Sequence, residues 1–249
     1  MAPNRRVADL VQAGKLRVAI FLPQYAKTGA TGAPRGIGMG FVAIEMGRTL
    51  AARLGVDLAL VEHATPGDAI AGLKSGASDL ACLGIDATRT AELDFSPPLV
   101  QFDYSLLVPA GSEIKTFADA DQPGRRIATV LNHASTFALA RKAVHAARVG
   151  TELPDAAFEL LRGAKVDAFA APREQLLDYR EMLPGSRVLD DGYGVNNAGI
   201  AVRKGRPAWL AFVSEFAEES KKSGLVADII ARGRLRGFRV APEGDAGVA

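Results

Sequence analysis

The sequence predicts an α/β fold with two lobes, each built on a mixed, mostly parallel sheet with flanking helices. Three observations predict it. Short aliphatic runs alternate with segments of helical periodicity, an order that is typical of parallel sheets. This alternation restarts after residue 100, which indicates a second α/β unit. The chain has 249 residues, 48% of them hydrophobic and 23% charged, and this composition is sufficient for two modest cores.

The first lobe begins with the aliphatic run LRVAIFL, which is flanked by Gly14 and Pro23. This pattern predicts a buried strand. The next stretch, residues 24–40, is rich in glycine and proline and predicts a loop. Two helical patterns follow later, and each ends at a glycine that is a typical C-cap, Gly55 and Gly76. The predicted strands are 16–22, 56–61 and 79–84, and the predicted helices are 41–54 and 68–74.

The same alternation organises the rest of the chain. The predicted strands are 104–108, 126–131, 166–170, 187–189 and 199–203, and the predicted helices are 117–121, 135–149, 156–161, 173–182, 207–223 and 225–233. Because the sequence has no flexible linker between the units, we expect the chain to cross on strands. Residues 1–101 and 195–249 are predicted to form lobe 1, and residues 102–194 lobe 2. Ligands collect at the carboxyl ends of such strands, so we expect a ligand cleft between the lobes.

Composition and spacing exclude several classes of function. The formal net charge is +2, from 30 basic and 28 acidic residues without a basic block, so we expect no nucleic-acid partner. The three histidines lack metal-ligand spacing, and the glycine-rich stretch 36–40 does not directly follow a strand. We therefore expect no metal and no cofactor. The single cysteine, Cys82, lies in an apolar run and is predicted to be buried.

The N-terminus bears on the compartment. It carries basic residues but no apolar core segment, so it is not a complete signal peptide. The sequence also lacks a run of about 18 apolar residues, the length that a membrane-spanning helix needs. We expect a periplasmic protein if an export signal has been removed from the chain, and a cytoplasmic protein otherwise.

Residues 70–99, IAGLKSGASDLACLGIDATRTAELDFSPPL, hold the most informative pattern. In order they contain Ser75-Gly76, Asp79, an aliphatic strand, Arg89 and Phe95-Ser96-Pro97. This ordered set resembles the first-lobe signature of family 3 solute-binding proteins, the amino-acid-type receptors of bacterial ABC transporters. Weaker similarity extends to the C-terminus. The resemblance implies a type II periplasmic-binding clamshell that acts as a monomer. It also implies that the clamshell closes on a carboxylate-bearing small ligand and passes it to a transporter permease.

In the family, the arginine that matches Arg89 binds the α-carboxylate of the ligand. A guanidinium suits this role because its planar fork donates two parallel hydrogen bonds to a carboxylate. The alternative is a surface arginine that caps a turn or pairs with Glu92. Gly84 and Asp86 match positions where the family often has Ser and Thr. Gly84 retains a backbone N–H for the ligand, whereas Asp86 either receives a ligand amine or caps the helix that contains Arg89.

In the second lobe, His133, Ala134, Ser135 and Thr136 lie between a predicted strand and a predicted helix. The family has a Gly-Ser or Gly-Thr pair near here that binds the ligand carboxylate, and amides at a helix N-terminus are a ready anion site. Ser135 is the best match, and its alternative role is helix N-cap. Tyr25 follows the first strand, where the family commonly places an aromatic ring over the ligand.

One departure from the family concerns ligand class. Family members specific for α-amino acids carry an aspartate that pairs with the α-ammonium, and the matching position here is Pro172, followed by Arg173. We count Arg173 among the candidate ligand-binding residues. The departure implies that the ligand is not a standard zwitterionic amino acid, or that Asp86 or another acid replaces the contact.

Two alternatives use the same scaffold. Cyclohexadienyl dehydratases resemble this family, and their reaction needs a general acid, for which Glu174 and His133 are the nearby titratable candidates. A soluble ligand-sensing module is the other alternative. Near the predicted second crossing, Gly192 and Gly194 flank Tyr193 and are expected to let a hinge absorb backbone rotation.

Overall fold

A computed structural model describes residues 14–21, 25–27, 34–36, 38–131 and 133–244 of the 249-residue chain. The chain divides into two compact units. The first contains the residues up to Gln101, then 197–235 and the residues from Arg239 onward, and the second contains 102–196 together with 236–238. The chain passes from the first unit to the second within strand β7 (Val100–Val108) and returns within strand β12 (Gly194–Arg203).

The first unit has a sheet in which three parallel strands are followed by an antiparallel one. Its order is β4 (Asp57–His63), β1 (Lys15–Phe21), β5 (Leu80–Gly84) and β12, and the short strand β6 (Leu93–Phe95) also pairs with β12. The flanking helices are α1 (Met39–Leu54), α2 (Pro66–Ser75), α3 (Ala87–Glu92), α8 (Pro207–Lys222) and α9 (Leu225–Gly233). The predicted βαβαβ order of this lobe is confirmed.

The first unit is stabilised by apolar side chains on both faces of this sheet. β1 and β5 are nearly continuous aliphatic runs, as expected of strands covered on both sides. α1 and α2 end at Gly55 and Gly76, both in the left-handed region with φ of 68° and 80°, which glycine adopts without steric cost. Cys82 is buried in β5, and this burial raises the pKa of its thiol to about 12.

The strands of the second unit pair in both parallel and antiparallel fashion. The order is β7, β10 (Ala168–Pro172), β8 (Arg126–Val130) and β9 (Ala147–Thr151), with β11 (Arg187–Val188) also on β7. β10 is antiparallel to β7 and parallel to β8, which is parallel to β9. Helices α4 (Phe117–Ala120), α5 (Ala134–Lys142), α6 (Pro154–Arg162) and α7 (Arg173–Met182) complete the unit, and β13 (Phe238–Val240) ends the described strands.

The predicted helix 135–149 is wrong in its second half. α5 ends at Lys142, and residues 147–151 form β9 instead. The reason is Asp121, a buried carboxylate that accepts hydrogen bonds from the backbone N–H groups of residues 144–146 at 2.8–3.0 Å. This contact with a residue distant in sequence fixes a turn that the alanine-rich local sequence does not signal.

Other differences lie at edges and in short strands. The stretch 24–40 was predicted as a loop, but Tyr25–Lys27 (β2) and Pro34–Gly36 (β3) pair as antiparallel strands. The strands at 93–95, 147–151 and 238–240 were not predicted, and β7 begins four residues before the predicted start. Within the described residues, no helix is long and apolar enough to cross a membrane.

Candidate functional site

In the first unit, the candidate residues lie where β5 ends and α3 begins. Asp86 is the N-cap of α3, and its carboxylate accepts the backbone N–H of Arg89 at 2.9 Å. The Arg89 guanidinium turns back on the same turn: Nη1 donates to the Gly84 carbonyl at 3.0 Å, and Nε lies 3.4 Å from the Asp86 carboxylate. Gly84, Asp86 and Arg89 therefore form one contact group.

These contacts engage only some of the N–H groups of the Arg89 guanidinium. It carries five N–H groups, and the two contacts engage one N–H of Nη1 and the Nε–H; the described residues offer it no further hydrogen-bond partner. The side chain is 23% exposed. Of the two alternatives for Arg89, pairing with Glu92 does not occur, since the Glu92 carboxylate receives Lys74 at 2.5 Å.

The other polar residues of the 70–99 segment have structural roles. Asp79 accepts three hydrogen bonds from Arg17, through the backbone N–H at 2.8 Å, Nε at 3.1 Å and Nη2 at 2.6 Å. Ser96 joins its turn to β12, because its Oγ accepts the Ile200 backbone N–H at 3.0 Å. Arg89, in contrast, keeps N–H groups that the described contacts of the segment do not use.

In the second unit, the start of α5 is organised by His133. Its Nδ1 accepts the backbone N–H of Ser135 at 3.2 Å and lies 2.8 Å from the Ser135 hydroxyl. The alternative role predicted for Ser135, helix N-cap, therefore belongs to His133. Thr136 donates its hydroxyl to the Val130 carbonyl at 2.6 Å, and Ala134 is the first residue of α5. Asn132 lies outside the described residues.

A buried aromatic cluster lies beside Ser135. Tyr104 and Tyr193 stack with ring centroids 5.8 Å apart, and Phe102 packs edge-on against Tyr104. Burial raises the pKa of Tyr193, and the Ser135 hydroxyl opposes that shift. The rings of Phe102 and Tyr104 are buried in the second unit. Tyr25 lies in β2, and its side chain is outside the described part of the structure.

Arg173 is held by the backbone of its own unit. Its Nη2 donates to the carbonyls of Leu189 at 2.5 Å and Asp190 at 2.7 Å, contacts that fix β11 and its following turn to α7. Pro172, where the family carries an acid, ends β10 and is buried opposite Tyr104 in β7. The position thus has neither a charge nor a side-chain donor.

Glu174 is a carboxyl at this edge of the sheet whose pKa is strongly raised. It lies in the first turn of α7 and is half-buried. Burial first, and the negative charge of Asp178 second, raise the pKa of Glu174 to about 8. A carboxyl with this pKa carries its proton at neutral pH. From the sequence, Glu174 was a candidate only for the general acid of the dehydratase alternative, because its burial depends on tertiary packing and has no local signal.

Among the described residues, no group of three or more His, Cys, Asp or Glu side chains is placed so that it could hold a metal ion. The polar groups present are instead a guanidinium in the first unit, and a helix N-terminus with a protonated carboxyl in the second. Such groups recognise oxygens and anions.

Residues 22–232 match the family described as bacterial extracellular solute-binding proteins, family 3. The chain belongs to this family. The match covers most of the sequence and confirms the resemblance that residues 70–99 indicated.

Solved structures are similar to this solute-binding protein along most of its length. The putative binding component of an ABC transporter from Wolinella succinogenes, complexed with lysine, has a TM-score of 0.73 at 23% identity, covering 88% of this chain and 95% of its own. An ancestral amino-acid-binding protein, a precursor of cyclohexadienyl dehydratase, has a TM-score of 0.68 at 26% identity over 88% and 94%. A histidine kinase sensor domain with similarity to periplasmic binding proteins has a TM-score of 0.70 at 20% identity over 91% and 98%. The predicted periplasmic-binding-protein-like α/β fold is confirmed.

Proposed function

We propose that this solute-binding protein captures a small carboxylate-bearing ligand, an amino acid or a related organic acid, and presents it to an ABC transporter permease. The observation that carries the proposal is the hydrogen bonding of the Arg89 guanidinium. Its guanidinium is oriented by Gly84 and Asp86 but keeps N–H groups that these contacts do not use. A cation fixed in this way is preorganised for a carboxylate and loses little conformational entropy on binding.

Asp86 supports this role through orientation. As N-cap it fixes the first turn of α3, and its carboxylate holds the Nε side of the guanidinium. One negative charge next to Arg89 reduces but does not cancel its attraction for an anion, because Asp86 is itself about one-third exposed and screened by solvent. The backbone carbonyl of Gly84, at the same turn, also orients the guanidinium by accepting a hydrogen bond from Nη1.

In the second unit we propose that the N-terminus of α5 contributes further ligand contacts. The candidates are His133, Ala134, Ser135 and Thr136 at the start of a nine-residue helix. The backbone N–H groups of His133, Ser135 and Thr136 already donate to the Val130 carbonyl, to His133 Nδ1 and to the His133 carbonyl, so among the described contacts the Ala134 amide is the one left for an anion. Helix N-termini favour anions by up to about 1 kcal/mol at exposed positions. Arg173 is the weakest candidate, since two backbone carbonyls already engage its Nη2.

The location and partners follow from the proposed role. A receptor that delivers ligand to a permease works outside the cytoplasmic membrane, so we propose a periplasmic protein that carries its ligand as a monomer. The Wolinella protein, to which this chain is similar, is described as a transporter component and is complexed with lysine. That similarity supports the transport role, and the amino-acid class is the first to test.

The test is calorimetric titration of wild type, Arg89→Ala and Arg89→Lys with a panel of amino acids and organic acids. Loss of a buried charge partner costs about 2 kcal/mol or more, so Arg89→Ala should weaken the best ligand about 30-fold or more. Arg89→Lys keeps the charge but loses the fork and should recover only part of the affinity. Lys74→Ala, an exposed cation one helix away, is the matched control and should bind like wild type. Equal affinity of wild type and Arg89→Ala contradicts the proposal.

A second candidate function is dehydration of a cyclohexadienyl acid, and Glu174 favours it. Its pKa of about 8 keeps a proton available at neutral pH, as a general acid requires. In such a reaction Glu174 protonates the leaving ring hydroxyl, which departs as water. The ring carboxylate leaves as CO₂ while its bonding electrons complete the aromatic ring, and solvent then reprotonates Glu174. The similar ancestral protein is described as a precursor of such an enzyme.

Prephenate discriminates between the two functions. Incubation with purified protein, followed by absorbance of the aromatic product, shows turnover if the protein is a dehydratase, and Glu174→Gln should abolish it. Binding of prephenate without any product supports the receptor function alone.

A further inference from the structure

Glu174 lies at the edge of the second unit's sheet where β8 and β10 end. These strands are parallel neighbours, with Ala168 opposite Ile127, so their carboxyl ends share one edge. α7 begins directly after β10, and α5 begins a few residues after β8. Glu174, in the first turn of α7, therefore shares this edge with the N-terminus of α5, the place where ligands of α/β sheets collect.

The Glu174 carboxyl has no hydrogen bond or ion pair with any residue in the described part of the chain. Four arginines lie on or against α7. Three are engaged elsewhere, and the fourth, Arg180, is exposed in the last turn of the helix, away from the first turn that holds Glu174. Arg173 donates to two backbone carbonyls, and Arg236 is bound by two carboxylates further along α7. Arg187 donates to carbonyls of the 112–114 turn. The charged group that acts on Glu174 is Asp178, one turn along the helix.

A half-buried carboxyl without a cation is most stable when it keeps its proton. This is the physical origin of the pKa of about 8, at which about nine-tenths of the groups are protonated at pH 7. The protonated form has one O–H donor and is electrically neutral. It can therefore donate to a ligand oxygen, whereas it offers an ammonium group only its carbonyl oxygen, without the ion-pair attraction of an ionised carboxylate.

We propose that Glu174 contacts the ligand as a neutral carboxylic acid that donates to a ligand oxygen. It thereby selects an oxo or hydroxy acid over the amino acid of the same skeleton. The inference rests on the proposed function, since the ligand carboxylate is bound by Arg89. Pro172, two residues earlier, offers neither charge nor donor, so Glu174 is the side chain at the end of β10 able to make this choice.

Exposed apolar side chains at the same edge define the rest of the ligand. Leu131 directly follows β8, Phe137 lies in the second turn of α5, and Leu153 follows β9. They are 52%, 55% and 65% exposed, although large apolar side chains are usually covered. A branched or aromatic ligand body would cover them. The ligand class is therefore a 2-oxo or 2-hydroxy acid with an apolar side chain.

Matched ligand pairs test this inference. Phenylpyruvate with phenylalanine, and 4-methyl-2-oxopentanoate with leucine, differ only at the 2-position. We expect wild type at pH 7 to bind an oxo acid at least tenfold more tightly than its amino acid by calorimetric titration. Between pH 7 and pH 9.5 the protonated fraction of Glu174 falls about 30-fold, and affinity for the oxo acid should fall in parallel.

Glu174→Gln separates a ligand contact from a structural role. Glutamine keeps a donor at every pH, so its oxo-acid affinity should stay near the pH 7 wild-type value and lose the pH dependence. Glu159→Gln, an exposed i,i+3 pair member on α6, is the matched control and should keep the wild-type profile. If Glu174→Gln does not fold, the oxo/amino preference of wild type and its loss of oxo-acid affinity between pH 7 and pH 9.5 decide.

Tighter binding of the amino acid, or an unchanged pH profile in Glu174→Gln, overturns the inference. The experiments distinguish failure of the proposed carboxylate-binding function from failure of the proposed role of Glu174. If Arg89→Ala abolishes binding of a carboxylate but Glu174→Gln changes neither preference nor pH profile, only the role of Glu174 is wrong. If carboxylates bind equally to wild type and Arg89→Ala, or do not bind at all, the proposed function fails and this inference fails with it.

Discussion

Replacing Asp79 with alanine tests why the Ser-Gly-x-x-Asp pattern is present. The Asp79 side chain is 7% exposed and receives three hydrogen bonds from Arg17, whose side chain is 23% exposed. The two residues also share a backbone hydrogen bond, and the Trp209 indole donates to the Asp79 carbonyl at 3.2 Å. The carboxylate thus fixes the start of β5 to β1 and α8.

The expected loss follows from these contacts. Removing one partner of a buried ion pair costs about 3–5 kcal/mol, because the other charge stays buried. Arg17 is one-quarter exposed and can recover some hydration, so we expect the lower end, about 3 kcal/mol of unfolding free energy. At about 2–4 °C per kcal/mol for a chain of this size, the melting temperature should fall about 6–12 °C.

The assay is urea unfolding followed by circular dichroism, with thermal unfolding as a second measurement. Glu92→Ala is the control, because its pair with Lys74 is about half exposed on both sides and should contribute less than about 1 kcal/mol. A loss below 1 kcal/mol for Asp79→Ala, or equal losses for both variants, would refute the reasoning. It would mean that the Arg17 contacts do not stabilise the sheet.

Three further predictions concern stability and reactivity. Burial alone would raise the pKa of Asp121, but three backbone donors outweigh it and hold that pKa below its usual range. Asp121→Asn should therefore cost about 2 kcal/mol near pH 7, and the gap to wild type should narrow as acid titration passes below about pH 4; a pH-independent gap contradicts this. Gly192→Ala places a Cβ 2.5 Å from the Tyr104 carbonyl and should cost about 1–3 kcal/mol in urea unfolding, whereas Gly67→Ala, whose Cβ meets Thr65 Oγ1 at an ordinary contact distance of 3.6 Å, should cost little. Because burial raises the pKa of Cys82 to about 12, a thiol reagent at pH 8 should label it only after unfolding, and rapid labelling of the native protein refutes its burial.

Much of the fold could be predicted because its signals are local. The predicted helices 173–182 and 225–233 agree with the structure at both ends. Most long strands were placed within a few residues, since aliphatic runs between glycines and prolines need no tertiary information. β9 was missed because Asp121, a distant residue, ends α5 before it.

The candidate site was predicted in part. The capping role of Asp86 was one of two stated alternatives, because the turn type is readable from the sequence. The helix N-cap, predicted as the alternative role of Ser135, is His133, which the sequence did not signal because histidine is a rare N-cap and serine a common one. The engagement of Arg173 by carbonyls of residues 189 and 190 depends on tertiary packing that has no local signal.

The reason for a glycine can also depend on tertiary packing, as at Gly192 and Gly194 near the second crossing. They were expected to give a hinge its backbone freedom. At Gly192 the structure shows a different reason, because any Cβ would collide with the backbone carbonyl of Tyr104. Close approach of two backbones explains this glycine without any hinge motion.

The most direct measurement of the central claim is mass spectrometry of small molecules released from purified wild-type and Arg89→Ala protein. Equal amounts of the two proteins are denatured, and the released molecules are compared. We expect a carboxylic acid in the wild-type sample and at least a tenfold depletion of it in the variant. Recovery of the same molecule in equal amount from Arg89→Ala, or of a ligand without a carboxylate, would contradict it.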